Sequence, residues 1–347
     1  MNTVYHVIKD TSSSDAKAAL SEAGRILREG GLVVFPTETV YGLGANALDA
    51  DAASKIYSAK GRPSDNPLIV HIADPADTEM FTDTPYLFYR LARSFMPGPL
   101  TVIMPKKKIV PHTVTAGLDT VAIRCPSHAV ANALIKAAGV PIAAPSANLS
   151  GSPSPTTAAH VCDDMMGRVD MIIDGGACEV GLESTIVKIE DESTVLLLRP
   201  GAITKEDLEA LGIKVNIASS VLGALKDGEK VLSPGMKYRH YAPKAPLYLL
   251  DGDDEKRRNF LADKKERVAY LAYEEEIDKL SSLSLALYCI GAREDIKTQA
   301  GRLFSLLREV DKENYTAIYA SLPRLDGMGM ALYNRMIRAA AHQIIQL

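Results

Sequence analysis

Gly30-Gly31-Leu32-Val33-Val34-Phe35-Pro36-Thr37-Glu38-Thr39-Val40-Tyr41-Gly42-Leu43-Gly44 is the stretch on which the reading of the fold turns. Four apolar residues between a glycine pair and a proline are too few for a helix and predict a buried strand at 32–35. The helical pattern at 16–28 stops at Gly30-Gly31, so helix and buried strand alternate. Behind the strand, 36–44 carries three hydroxyls, a carboxylate and two glycines. So polar a segment directly after a buried strand reads as a binding loop, with an exposed turn as the alternative.

The same alternation extends outward. Strands are predicted at 68–72, 101–104, 120–124, 140–144, 171–173, 185–189 and 195–198, and helices at 50–59, 86–95, 129–138, 157–166 and 205–211. The connection at 190–194 is too short for a crossover helix and predicts a hairpin. The expected fold is therefore α/β, with an open, mixed sheet over residues 1–212. Residues 213–246 lose regularity, contain Ser233-Pro234-Gly235 and Ala242-Pro243-Lys244, and read as a linker. Beyond it, strands at 247–250, 268–273, 283–290 and 316–320 alternate with helices at 255–262, 296–310 and 330–341. That pattern predicts a smaller, parallel, three-layer domain over 247–347. No internal repeat is visible. Lys106-Lys107-Lys108 and Glu274-Glu275-Glu276 are the single-sign runs and read as solvated surface.

The chain has 347 residues, 47% hydrophobic and 24% charged, a globular composition long enough for two domains. Its longest apolar run, 285–292, falls far short of the roughly 20 residues of a membrane span. The first ten residues lack a basic segment followed by an apolar one, so no secretion signal is expected. A net charge of -4 argues against a protein living on non-specific phosphate contacts. Cys125, Cys162, Cys178 and Cys289 lie far apart without a C-x-x-C pair. They read as small buried residues in a reducing, cytoplasmic setting, with no protein metal site.

Gly42-Leu43-Gly44-Ala45-Asn46-Ala47 fits a dinucleotide fingerprint, but Pro36 to Tyr41 separate it from the strand that should deliver it. No phosphate-binding P-loop and no nucleophile elbow occurs. In Lys60-Gly61-Arg62-Pro63, the proline favours extended backbone, so Lys60 and Arg62 are expected on one face, able to meet one anion. In the strand 120–124, Thr120, Ala122 and Arg124 share a face while Val121 and Ile123 face the core. Arg124 then needs either an anionic ligand or an internal salt bridge. Ala143-Ala144-Pro145-Ser146-Ala147-Asn148 ends a strand in small residues with short hydrogen-bonding groups. Gly181-Leu182-Glu183-Ser184-Thr185 and Leu198-Arg199-Pro200-Gly201 repeat that scheme. His71 lies inside a predicted strand, as a satisfied core histidine or a site residue. Together these groups supply cations and hydroxyls for an anionic ligand, without a nucleophile–base pair.

The ordered series PTETVYGLG (36–44), KGRPSDNPLIVHI (60–72), MPGPLT (96–101), TAGLDTVAIR (115–124), PIAAPSANLSGSPSPT (141–156), GLESTIV (181–187) and LLRPG (197–201) resembles the YrdC domain of threonylcarbamoyl-AMP synthases. SPGMKYRHYAP (233–243), followed by a second α/β domain, resembles the long, two-domain form of that family. Met96 stands where an aromatic residue is more usual. The resemblance implies a twisted α/β sheet with a basic concave face and a Rossmann-like second domain without dinucleotide use. It implies a nucleotidyltransferase that makes L-threonylcarbamoyladenylate and pyrophosphate from L-threonine, bicarbonate and ATP. A tRNA threonylcarbamoyl-transfer complex would take the product. By motif, Thr39, His71, Arg124, Ala144 and Ser184 would contact threonine or its carbamate. Lys60, Arg62, Asn66, Thr120, Ser146, Asn148, Ser154, Arg199 and Tyr241 would serve ATP, with Lys60 and Arg62 as the catalytic cations and Mg²⁺ carried on the phosphates. Neither a membrane nor stable nucleic-acid binding is implied.

The segment 233–244 crowds Lys237, Tyr238, Arg239, His240 and Tyr241 between prolines. A passive tether needs no such composition, so a lid over the nucleotide is expected, with a linker packed on its own second domain as the alternative. Two other readings are an RNA-binding or ribosome-assembly module, opposed by the net charge, and a carbamoyl-transfer maturation factor, opposed by the missing C-x-x-C pairs.

Overall fold

A computed structural model describes residues 2–223 and 241–347. The lid expected at 233–244 lies outside the described residues up to His240; from Tyr241 onward the chain is described.

Eleven strands form the first sheet. They are β1 (Val4–Val7), β2 (Val33–Phe35), β3 (Gly42–Asn46), β4 (Ile69–His71), β5 (Leu100–Pro105), β6 (Thr120–Arg124), β7 (Ile142–Ala144), β8 (Met171–Asp174), β9 (Thr185–Ile189), β10 (Thr194–Arg199) and β11 (Lys214–Ile217). Their order is β1-β8-β2-β3-β7-β4-β6-β5-β9-β10-β11, with parallel and antiparallel pairs mixed as expected. The hairpin at 190–194 joins antiparallel β9 and β10. Side chains alternate across this sheet. Val34, Val70, Val102, Ile123 and Ile172 pack on one face with the helices Ala50–Lys60, Tyr86–Phe95 and Ala158–Met165. Val33, Phe35, Ile142 and Met171 pack on the other with the helices Ser14–Arg28 and Ala129–Ala138. Farther along that second face, Ile69, Ile103, Ala122, Ile186 and Leu198 form a separate apolar patch. The candidate site lies where these two groups meet.

The second sheet holds β12 (Leu247–Asp251), β13 (Val268–Tyr273), β14 (Ala286–Gly291), β15 (Ala317–Ser321) and β16 (Ile344–Gln346). Its order is β14-β13-β15-β12-β16 and every pairing is parallel. The two domains share a core: Val40 and Leu182 of the first pack in the same cluster as Tyr241, Phe304 and Leu332.

Four expectations need correction. Gly42 to Asn46 belong to strand β3 rather than to a loop. A Cβ on Gly44 would lie 2.9 Å from the Phe35 ring and 2.7 Å from Ile142, so these glycines serve close strand packing. The linker begins later than 213, because β11 pairs in parallel with β10 and buries Ile213 and Val215. The acidic run opens a helix, Glu274–Leu280, and Glu276 is buried rather than solvated. Lys60 and Arg62 do not share an extended segment. The helix Ala50–Lys60 runs on to Lys60, and Gly61 ends it in the left-handed region at φ 60°.

Candidate functional site

Strand register assembles the floor. His71 of β4 pairs with Arg124 of β6, which pairs with Thr101 of β5, so the three lie in one cross-strand row. Ile69 and Ala144 lie side by side in a neighbouring row. One cavity is lined by Ile69, His71, Arg124 and Ala144, by Lys60 and Arg62 at the end of their helix, and by Ser146, Asn148, Glu183, Arg199 and Tyr241.

The cations are held mainly by neutral groups. Lys60 is buried, and its Nζ donates to the carbonyls of Ser146 and Asn148. Burial, with Arg62 close by, drives its pKa well below the ordinary lysine value. Arg62 is half-buried. Its guanidinium donates to the Asn66 carbonyl at 3.3 Å and the Pro67 carbonyl at 3.1 Å, and burial lowers its pKa to about 10. Arg199 donates from Nε to the Ser184 carbonyl at 3.0 Å and from Nη2 to the Ser184 hydroxyl at 3.1 Å. Arg124 meets the internal partner that its strand position called for: the Glu38 carboxylate stands 2.9 Å away. Burial alone would raise the Glu38 pKa; Arg124 together with the backbone N–H groups of Glu38 and Ser127 outweighs it and holds the carboxyl below its ordinary value. Arg124 nevertheless lines the cavity, so both readings of it are compatible with its position.

His71 is 4% exposed, its Nδ1 stands 3.1 Å from the Ile69 carbonyl, and the Phe35 ring meets it edge-on at 5.9 Å. Burial depresses its pKa to about 3, so the imidazole is neutral at physiological pH. Ser146 donates its hydroxyl to Asn148 Oδ1, and the Asn148 amide donates to the Leu149 and Ser152 carbonyls, which shapes the turn around Lys60. Tyr241 takes φ 62° and stacks on Phe304 of the second domain at 5.0 Å. It therefore both lines the cavity and packs on its own domain.

Other expected residues stand behind the lining. Thr39 is fully buried, with its hydroxyl 2.9 Å from that of Thr37. Ser184 joins Thr101 at 2.7 Å and also Arg199. Ser154 donates to Glu183 at 2.6 Å. Asn66 is buried in the loop that receives Arg62. Thr120 opens β6, four residues from Arg124 and about 13 Å along the strand, outside the cavity lining. Sequence reasoning left three groups without a role: Glu38, Glu183 and Arg335. Glu183 is buried, and burial alone would raise its pKa; Arg335 and Arg199 bring it down to about 2. Glu38 and Glu183 sit inside the quoted motifs, so a rule that pairs every buried arginine with a carboxylate could have found them. Arg335 carries no local signal.

Two family models match the chain in series. One, described as telomere recombination and covering Sua5, YciO and YrdC proteins, matches residues 25–201. The other, described as the C-terminal domain of threonylcarbamoyl-AMP synthase, matches residues 203–341. The chain is 46% identical over 345 residues to the threonylcarbamoyl-AMP synthase of Bacillus subtilis, covering 98% of this chain and 97% of that one. It is 42% identical to the Pyrococcus abyssi protein of the same name, over 94% of this chain and 95% of that one. The crystal structure of Pyrococcus abyssi Sua5 complexed with L-threonine superimposes with a TM-score of 0.89 at 39% identity, over 99% of this chain and 100% of that one. With both halves matched in order and at full length, the chain belongs to the threonylcarbamoyl-AMP synthase family in its two-domain form.

Proposed function

We propose that this chain makes L-threonylcarbamoyladenylate and pyrophosphate from L-threonine, bicarbonate and ATP, and that a tRNA threonylcarbamoyl-transfer complex in the cytoplasm takes the product. The observation that carries this reading is the charge imbalance of the cavity. Lys60, Arg62, Arg124 and Arg199 line it; Arg124 is balanced by Glu38 and the one lining carboxylate, Glu183, by Arg335, which leaves Lys60, Arg62 and Arg199 held by neutral groups. Such a site suits two anionic substrates that must be brought together.

Threonine's unprotonated amine attacks the carbon of bicarbonate, the C–OH bond breaks, and the departing hydroxide takes a proton from the nitrogen to leave as water, giving a carbamate. A carbamate oxygen then attacks the α-phosphorus of ATP, the bond to the bridging oxygen breaks, and pyrophosphate departs. The protein's task is to position and neutralise. Arg124 suits the threonine carboxylate, beside a neutral His71 that adds no competing charge. Lys60, Arg62 and Arg199 suit the phosphates, with Ser146, Asn148 and Tyr241 around the nucleotide. Mg²⁺ arriving on the triphosphate would share the neutralisation. Thr39, Ser184, Asn66 and Ser154 support the lining residues they touch, and Thr120 would need substrate reaching past Arg124. Among the described residues no helix is long and apolar enough to cross a membrane.

The test is pyrophosphate release from ATP with threonine and bicarbonate added together or omitted singly. Release should require both, and equal turnover without either one overturns the reading.

A further inference from the structure

One side chain of the second domain bonds directly to the segments that carry Ser184 and Arg199. Arg335, in the last helix (Gly329–Ala339), is the most deeply buried charged residue among those described. Its Nε donates to Glu183 Oε2 at 2.9 Å and one Nη donates to the Glu183 carbonyl at 3.1 Å. The other Nη donates to the Pro200 carbonyl and, at 3.3 Å, to Asn334 Oδ1. One guanidinium thus ties the segment entering β9 to the segment leaving β10. The next residue after Glu183 is Ser184, and the one before Pro200 is Arg199, which already bond to each other. The second Glu183 oxygen accepts from Ser154.

The loop that carries Glu183 is pressed onto the second domain as well. Gly181 takes φ +74°, and a Cβ there would lie 2.5 Å from the Gly301 Cα in the helix Ile296–Val310. Leu182 lies in the second domain's apolar core. A buried ion pair is a poor stabiliser, since well-packed apolar residues usually do as well or better. What Arg335 supplies that an apolar residue cannot is direction, because its planar fork fixes two backbone carbonyls and one carboxylate together.

We propose that Arg335 is a positioning residue for the synthase reaction. Through Glu183 and the Pro200 carbonyl it fixes Ser154, Ser184 and Arg199 around the cavity, which makes the second domain part of the active site. This rests on the function proposed above. The charged and titratable groups around Glu183 are Arg335 and Arg338 of the last helix, Arg199 at the end of β10, Tyr241 and Lys60, and Ser154 donates to it. Arg335 is its foremost cationic partner, so without it burial raises the carboxyl pKa and protonation weakens its hold on Ser154 and Arg199.

The experiment uses the full chain and measures kcat and KM for threonine and ATP from pH 6 to 8.5, with thermal melting as the folding control. Arg335→Met should lose about 10²-fold in kcat/KM, the cost of slight misplacement in a positioned site. Its activity relative to wild type should fall further as the pH drops from 8 to 6. In Glu183→Gln/Arg335→Met that ratio should be flat with pH. Arg335→Lys keeps the charge but cannot span all three acceptors, and should lose about tenfold with no acid limb. A folded Arg335→Met with wild-type kcat/KM, or a loss in constant ratio at every pH, overturns the positioning role. If Arg335→Met does not fold, wild-type kcat/KM in Arg335→Lys overturns it. Failure of the wild type to release pyrophosphate on addition of threonine and bicarbonate overturns the functional reading instead.

Discussion

Both domains gather basic side chains beside their sheets, and they balance the charge in opposite ways. In the second domain, Arg257 pairs with Asp254 and Glu276, and Arg293 pairs with the same two carboxylates. The Tyr270 hydroxyl donates to Glu276 at 3.0 Å and lies 2.8 Å from that of Ser321. Two guanidiniums meet two carboxylates. In the first domain, Lys60 and Arg62 are held by backbone carbonyls and Arg199 by Ser184, so that three basic side chains held by neutral groups line the cavity beside the balanced Arg124. Carbonyl dipoles fix a cation in place without cancelling its charge, so its field stays available to an anion. The balanced cluster is framework and the unbalanced one is a site.

Arg124 stands between these cases, with Glu38 behind it and the cavity in front. Replacing it should have the largest effect, because Glu38 is 4% exposed and would be left as a lone buried charge. Arg124→Met should therefore lose about 3–5 kcal/mol of unfolding free energy. Adding Glu38→Gln should recover most of that stability but not threonine affinity. Denaturant unfolding and calorimetric titration with threonine read the two effects separately. An Arg124→Met protein of wild-type stability would show that Glu38 is not balanced by Arg124.

The comparison itself breaks or holds on a pair of variants. Arg257→Met should cost roughly 3 kcal/mol of stability by unbalancing Glu276, while turnover per folded molecule stays at the wild-type level. Arg62→Ala should do the reverse. It should lose on the order of 2–4 kcal/mol of transition-state stabilisation in pyrophosphate release. Its folding cost should be about 1 kcal/mol, because its guanidinium bonds to the Asn66 and Pro67 carbonyls are given up. If Arg257→Met slows turnover as much as Arg62→Ala does, the second-domain cluster is more than framework.

Much of this was legible in the sequence, for physical reasons that also mark where legibility ended. Periodicity and breakers located both sheets, since a short apolar run between glycine and proline has few conformations open to it. Alternation along 120–124 placed Val121 and Ile123 in the core and Arg124 opposite them, as found. The edge strands β1, β11 and β16 escaped because their exposed faces remove the apolar signal: Lys214 and Asn216 alternate with Val215. β3 was hidden by its glycines, whose reason is the Phe35 ring of the neighbouring strand β2. The site motifs are local and could be read. Arg335 is fixed by Glu183, 152 residues distant, and no pattern near it announces the contact.

At neutral pH His71 gives the smallest effect, and it is the sharpest test of how far water reaches into the site. It sits in the row with Arg124, yet burial holds its pKa at about 3. An unfolded histidine titrates near 6.5, so between about pH 6.5 and 3 the unfolded chain binds a proton that the folded one refuses. Stability is therefore lost as the pH falls through that window, at about 1.4 kcal/mol per pH unit from this residue, and nothing is lost above it. His128 and His160 are also depressed by burial and add to the total slope, so the quantity to measure is the difference between wild type and His71→Asn. The imidazole carbon-bound proton resonances of His71 should be constant from pH 8 to 5. A resonance that titrates near 6.5 would mean that water reaches the Arg124 row in the free protein. His71 could then carry a proton during carbamate formation, and a charged imidazole would join the unbalanced cluster of the first domain.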